Sequence, residues 1–249
     1  MRFAINGFGR VGRTLLRVYA SREDARARLT LAAINEIADA DTVVHLARYD
    51  SNYGRYPGAI ARAASSLVID QCSVPLSHVA EVALLPWQQH QIDLVLECTG
   101  AFTDRITAEQ HLQAGASRVL FSQPAESDVD ETIVYGVNSD SLSADMTVVS
   151  AASCTTNAVV PVLATLSRAV GIEAATITTI HSLMNDQPVL DAYHHTDLRK
   201  TRAASQSIIP VDTGLAVGIE RILPDLSGKL SAHACLLYTS DAADEEESV

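Results

Sequence analysis

Cys154 stands in the run Ser153-Cys154-Thr155-Thr156-Asn157, between a strand-like stretch (Met146 to Ser150) and a helix-like one (Thr155 to Val170). A cysteine at the start of a helix faces N–H groups that have no intrahelical partner and the positive end of the helix dipole, and both favour the thiolate. That is the setting of a nucleophile. Downstream, Thr178-Thr179-Ile180-His181 ends a second strand-like run, where an imidazole can serve as the partner base. The plainer alternative makes Cys154 a small buried hydrophobe and His181 a satisfied core histidine. The polar residues crowding the cysteine, and an independent signal at the N-terminus, weigh against it.

That second signal is Gly7-Phe8-Gly9-Arg10-Val11-Gly12, which follows the buried-strand pattern Arg2 to Asn6 and opens an apolar-periodic run through Val11, Leu15, Leu16, Val18 and Tyr19. Glycines at these spacings give a tight turn, let the backbone approach a pyrophosphate, and allow close helix-to-strand packing. The next strand-like run, Leu29 to Ile34, ends in Asn35-Glu36. An acid at that distance meets an adenosine ribose 2′-hydroxyl and repels a 2′-phosphate, so NAD is expected rather than NADP. An exposed carboxylate at a strand end would be the reading without the glycine motif.

The elements that must carry these residues alternate. A short helix is expected over Asp39 to Tyr49, a loop over Asp50 to Gly58, a hairpin from Leu67 to Leu76, and a helix over Asp104 to Gly115. Asp93 to Cys98 is a near-continuous apolar run ending in Thr99-Gly100, as in a buried parallel strand whose carboxyl end faces a ligand crevice. Thr99 and Gly100 are therefore candidate cofactor contacts, with Ser122 at the end of the next strand, and Cys98 reads as an inert core thiol. Further β-like segments run from Thr132 to Val137, Met146 to Ser150 and Glu173 to Ile180, and Pro161 predicts an irregular helix after Cys154. The pattern predicts a Rossmann-type α/β fold, a doubly wound and mostly parallel sheet over 1–152, followed by an incomplete α+β catalytic domain over 153–234.

At 249 residues and 47% hydrophobic, the chain can fill two modest cores. Its net charge of −12 argues against a nucleic-acid or membrane-surface partner, since either wants a basic face. There is no run of 18 or more apolar residues and no charged-then-apolar leader, so a cytoplasmic protein is expected. Its four cysteines are scattered without metal-ligand spacing, and neither disulfides nor a metal is expected. Arg199, Lys200 and Arg202 form a small basic cluster in a long loop, Asn185 to Arg202. It reads equally as solvated loop, subunit contact, or site for an anionic substrate.

Taken together, Asn6-Gly7-Phe8-Gly9-Arg10, Ser153 to Asn157 and His181 to Gln187 resemble the glyceraldehyde-3-phosphate dehydrogenase superfamily in order and spacing, from Met1 to about Ala234. Within it the likeness is closest to the branch acting on erythrose 4-phosphate, on Asn35 to Asp39, Val134 to Asn138 and Thr201 to Thr213. The resemblance implies that Cys154 attacks an aldehyde carbon, that His181 takes the proton, and that a thioester is cleaved by water, or by inorganic phosphate in the phosphorylating relatives. It also implies a short phosphorylated aldehyde as substrate, on a route toward pyridoxal phosphate, and a homotetramer in the full-length parent. Ser153, Thr155, Thr213 and Gly214 would line one anion site, with Asp186 near the other and Arg10 near the cofactor pyrophosphate. Met184 departs from the phosphorylating relatives, which usually place a threonine hydroxyl there; a thioether cannot donate a hydrogen bond. From Cys235 the chain leaves the family pattern, with five acids and no base between Ser240 and Val249. The segment 235–249 is thus expected to be foreign to the family, and the chain to be a fragment whose catalytic sheet leaves an apolar face and edge exposed. Phosphorylating glyceraldehyde-3-phosphate dehydrogenase, or an inactive fragment that only binds NAD, are the alternatives.

Overall fold

Strand β1 (Arg2–Asn6) sends Phe3 and Ile5 to one face and Ala4 to the other, and all three are buried. Both faces of a sheet built around it must therefore be covered, which is the situation of a doubly wound fold. The computed structural model describes residues 1–182, 188–194, 197–203, 208–211 and 213–237. Backbone packing divides the chain into two units, Met1–Cys154 and a second that begins at Thr155.

In the first unit β1 is followed by α1 (Arg10–Ser21), α2 (Glu23–Arg28), β2 (Thr30–Asn35) and α3 (Ala40–Arg48). A small ribbon, β3 (Tyr49–Asp50) with β4 (Gly54–Arg55), leads to the antiparallel strands β5 (Ile60–Ala63), β6 (Ser66–Ile69) and β7 (Cys72–Ser77). The chain then returns through β8 (Leu94–Glu97), α4 (Arg105–Gln113), β9 (Arg118–Phe121), β10 (Glu131–Thr132) and β11 (Val148–Ser150). Strand order is β10-β11-β9-β8-β1-β2-β7-β6-β5, parallel from β10 to β7 and antiparallel beyond. The chain winds outward from β1 through β2 to β7, then crosses back to β8 on the other side. Such a reversal leaves a crevice at the carboxyl ends of the strands flanking it.

Phe3, Ile5, Leu16, Ile34, Val43 and Val44 fill one face, while Ala4, Val82, Leu85, Trp87, Ile92 and Val95 fill the other. Helix starts follow the sequence chemistry. Asp39 Oδ1 accepts from the N–H groups of Asp41 (3.1 Å) and Thr42 (2.9 Å) to cap α3, and Asp104 caps α4 through Thr107 N–H (2.8 Å).

One β-like segment is shorter than its pattern. The stretch Thr132 to Val137 is strand only through Thr132, because Gly136 adopts a left-handed φ of 82° and the Asn138 side chain closes a turn. Its Oδ1 accepts from Val134 N–H and its Nδ2 donates to Thr132 O, both at 2.8 Å. The pairing of this edge is anchored instead by Asp130, whose carboxylate accepts from Thr147 N–H (2.7 Å), Val148 N–H (2.9 Å) and the Arg105 guanidinium (2.7 Å). Burial alone would raise its pKa, but these bonds outweigh it and bring the group from 3.8 to about 2. A carboxyl depressed in the folded state stabilises above its unfolded pKa, and the contribution is lost as pH falls through the folded value. Asp130→Ala is therefore expected to cost about 2 kcal/mol at neutral pH, with the gap to wild type closing between about pH 4 and pH 2. Urea midpoints at the two ends of that range measure it, and a gap independent of pH would contradict the assignment.

The second unit carries α5 (Cys154–Val170) from its second residue onward, then β12 (Ala175–Ser182), β13 (Ile209–Val211), α6 (Leu215–Ile222) and β14 (Leu230–Leu237). Helix α5 runs unbroken through Pro161. The sheet order is β12-β14-β13, with β12 and β14 parallel and β13 antiparallel. Cys235 and Leu236, at the start of the segment expected to be foreign to the family, are paired in β14 opposite Ile180 and His181. The exposed positions of β12 are Thr176, Thr178, Ile180 and Ser182, a face richer in hydroxyls than the apolar one expected. A Cβ built on Gly218 of α6 would lie 3.4 Å from Thr156 Oγ1, so the first turns of α5 and α6 run close together.

Candidate cofactor cleft and cysteine site

A cleft of about 270 Å³ opens where the winding reverses. Its floor is made by the ends of three neighbouring strands: Asn6 and Gly7 after β1, Asn35 and Glu36 after β2, and Cys98 and Thr99 after β8. Gly9, Ile37, Val79, Ala80, Ala101 and Phe102 are among its walls. Of the residues expected to hold cofactor, it brings together Gly7, Gly9, Glu36 and Thr99. Arg10, Val11 and Gly12 occupy the first turn of α1, while Gly100 and Ser122 follow β8 and β9; none of these five is in the lining.

The three motif glycines do different things. Gly7 has φ of 87°, and a Cβ there would sit 2.5 Å from Thr99 N and 2.7 Å from Cys98 C, so it allows both the turn and the close approach to β8. A Cβ on Gly12 would lie 2.3 Å from Gly7 O and 3.0 Å from Ile5 Cγ2, which is helix-to-strand packing. Gly9 differs: nothing lies within 4 Å of its would-be Cβ, and it precedes α1 with no side-chain cap on the helix N–H groups. Open space beside uncapped N–H groups is what a pyrophosphate requires.

Glu36 is fixed in place. Its Oε2 accepts from Phe8 N–H inside the glycine loop (2.7 Å) and its Oε1 from Ala38 N–H (3.1 Å), leaving each oxygen capacity for a sugar hydroxyl. These features fit an adenine dinucleotide without a 2′-phosphate. Glu36→Ala is expected to lower the preference for NAD over NADP by about tenfold or more, read as the ratio of kcat/KM values. An unchanged ratio would show that the carboxylate does not face the ribose.

Sequence reasoning passed over the carboxylate beneath this floor. Glu97 and His111 are fully buried; Asn6 Nδ2 donates to Glu97 Oε2 at 2.6 Å, and Thr99 N–H donates to Oε1 at 2.9 Å. Thr99 Oγ1 also donates to Oε1, and His111 Nε2 meets Oε2 at 3.0 Å. Burial pushes the Glu97 pKa up, but the bonds from His111, Thr99 and Asn6 prevail and hold it below the ordinary value. The neighbouring Cys98 has no such help. Burial pushes its thiol up to about 12, with Glu97 adding to the rise against a hydrogen bond from Ser122, so it is a protonated wall group and not a nucleophile.

Cys154 is a different thiol. It is exposed and is the first residue of α5, where the helix N–H groups point outward. The turn that delivers it contains Ala152 at φ 60°, a left-handed conformation costly for a residue other than glycine, with Ala152 N–H donating to Ser150 Oγ (3.1 Å). Nothing in the sequence signals that strain. His181, next to last in β12, places its Nδ1 2.6 Å from Ser182 O. A carbonyl only accepts, so Nδ1 carries the proton of that bond.

The expected anion-binding residues fall at helix starts. Ser153 and Thr155 flank the first residue of α5, and Thr213 and Gly214 immediately precede α6, with Leu215 N–H donating to Thr213 Oγ1 at 3.2 Å. Asp186 and Met184 lie outside the described residues. Arg199 packs its guanidinium on Asp197, with Nε 3.0 Å from Oδ1 and a terminal nitrogen 3.0 Å from Oδ2, and Arg202 pairs with Asp191 at 2.6 Å. The basic cluster thus carries acids of its own.

Two family models match the chain. The glyceraldehyde 3-phosphate dehydrogenase NAD binding domain covers residues 1–105, and the C-terminal domain of the same enzyme covers residues 153–245. The chain belongs to the glyceraldehyde-3-phosphate dehydrogenase superfamily. It is an NAD-dependent dehydrogenase of that type. Its mixed sheet with a parallel core is the Rossmann-type half of the superfamily fold, with an α+β unit after it. As a superfamily member it acts on a phosphorylated aldehyde. Among the described residues no helix is long and apolar enough to cross a membrane.

Proposed function

We propose that the chain is an erythrose-4-phosphate dehydrogenase, oxidising D-erythrose 4-phosphate to 4-phosphoerythronate in the cytoplasm on a route toward pyridoxal phosphate. The substrate reading rests on Met184, which puts a thioether where phosphorylating relatives usually offer a hydroxyl to a phosphate. The stretches Asn35 to Asp39, Val134 to Asn138 and Thr201 to Thr213 support it.

Cys154 passes its thiol proton to His181 and adds as the thiolate to the aldehyde carbon, and the same proton is returned to the aldehyde oxygen to give the hydroxyl of a hemithioacetal. His181 accepts that hydroxyl proton as the carbonyl re-forms. When bound, NAD takes up the hydride lost from the same carbon. Water then cleaves the thioester on Cys154, releasing the carboxylate and restoring the thiol. Gly7, Gly9, Arg10, Val11, Gly12, Glu36, Thr99, Gly100 and Ser122 hold the cofactor. Ser153, Thr155, Thr213 and Gly214 bind one anionic group of the substrate at the starts of α5 and α6, and Asp186 and Arg199 lie near the other. The resemblance implies a homotetramer for the full-length parent, and Leu190, Tyr193 and Leu198, at 73%, 88% and 83% exposed, are apolar groups a subunit contact would cover.

A second reading, phosphorylating glyceraldehyde-3-phosphate dehydrogenase, is favoured by those same helix starts, which suit inorganic phosphate as well as substrate. NADH formation from each aldehyde, with and without inorganic phosphate, separates the two. Phosphate-independent turnover of erythrose 4-phosphate is expected. Strict dependence on phosphate would establish the second reading, and NAD binding without turnover of either aldehyde would leave only an NAD-binding protein.

A further inference from the structure

Behind the floor of the NAD cleft lies a polar chain that runs into the core. Trp87 Nε1–H donates to His111 Nδ1 at 2.9 Å; an indole nitrogen only donates, so the His111 proton sits on Nε2 and is given to Glu97 Oε2 at 3.0 Å. Glu97 divides its two oxygens between two strands, Oε2 taking Asn6 Nδ2 at the end of β1 and Oε1 taking the N–H and hydroxyl of Thr99 at the end of β8. Asn6 Oδ1 in turn accepts from Asn35 Nδ2 at 2.8 Å, at the end of β2. Asn6, Asn35 and Thr99 line the cleft, whereas Glu97, His111 and Trp87 do not. The Thr99 amide held by Glu97 is also the atom against which Gly7 packs.

We propose that Glu97 is a positioning residue of the cofactor cleft, with His111 and Trp87 as the buried support that fixes its carboxylate. One buried anion ties three strand ends and the glycine loop to a common point, so the spacing NAD meets depends on groups it never touches. The requirement is for donors all round. A glutamine at 97 would turn an NH₂ group toward either the Asn6 and His111 donors or the Thr99 donors, and His111 cannot relieve the clash without losing its bond from Trp87. His111→Gln, by contrast, retains one donor for Glu97 and one acceptor for Trp87, whereas His111→Leu retains neither.

The inference rests on NAD binding alone and not on the substrate reading. Its test is the NAD dissociation constant, by calorimetry, of the wild-type chain, His111→Leu, His111→Gln and Leu67→Ala, each where circular dichroism shows it folded. Leu67 is buried in β6 outside the network and controls for loss of stability. We expect about tenfold weaker binding for His111→Leu and values within about twofold of wild type for the other two. A folded His111→Leu with wild-type affinity overturns the proposal, as does an equal loss in Leu67→Ala. Should His111→Leu not fold, the indole N–H resonance of Trp87, the chain's one tryptophan, decides. It is expected to shift as NAD saturates the wild-type chain, and an unmoved resonance overturns the proposal. Failure of the wild-type chain to bind NAD would be a distinct result, against the cofactor site as a whole.

Discussion

Replacing Cys154 by serine is expected to lower turnover by at least about a thousandfold while leaving NAD affinity unchanged. Serine keeps the shape of the site but its hydroxyl stays protonated where a thiol at a helix start ionises. Cys154 is the exposed first residue of α5 and is absent from the lining of the NAD cleft, so the two readouts separate cleanly. Steady-state NADH formation and an NAD titration on the same preparation measure them. Turnover within tenfold of wild type would remove Cys154 as nucleophile. The same contrast governs alkylation: a thiol reagent is expected to modify Cys154 far faster than Cys98, whose pKa lies near 12.

The second large effect divides two glycines that a motif treats alike. Gly7→Ala puts a methyl 2.5 Å from Thr99 N and 2.7 Å from Thr99 Cα, against backbone that cannot yield, at a φ of 87°. A cost of about 2–5 kcal/mol is expected, seen as a thermal midpoint lower by about 5–15 °C. Gly9→Ala meets nothing within 4 Å, and Gly9 sits at φ −70°, where alanine is unstrained. Its stability should stay within about 0.5 kcal/mol of wild type. The added methyl nevertheless occupies the space beside the uncapped α1 N–H groups, and NAD affinity should fall by about tenfold or more. Equal losses of stability in both variants, or wild-type NAD affinity in Gly9→Ala, would contradict these separate roles.

Local chemistry carried much of this into the sequence. The glycine loop, the helix after it, Glu36 at the end of β2, Thr99 at the end of β8 and the helix beginning at Cys154 are each written in a few adjacent residues; Gly7, Gly9, Glu36 and Thr99 meet at one cleft, and Cys154 begins α5. What depends on pairing between distant strands was not legible. Glu97 reads as one acid in an apolar run, and only the register of β1 against β8, Asn6 opposite Glu97, turns it into the keystone beneath the cleft. Trp87 and His111 come from segments with no motif at all. The walls Val79, Ala80 and Phe102 sit in stretches whose composition says only loop or core. The strain at Ala152 is invisible because the sequence offers no glycine or asparagine to mark it. Arg199 read only as part of a positive patch, because its pairing with Asp197 depends on the short turn that brings the two together.

The central claim, a cysteine-bound thioester formed as NAD is reduced, is tested most directly by acid-quenching the chain a few turnovers after mixing with erythrose 4-phosphate and NAD, without inorganic phosphate, and weighing its peptides. The expected result is a 4-phosphoerythronyl adduct confined to the peptide bearing Cys154, absent when NAD is omitted and absent in Cys154→Ser. NADH formed at full rate with no adduct on that peptide, or with the adduct on another cysteine, would contradict it.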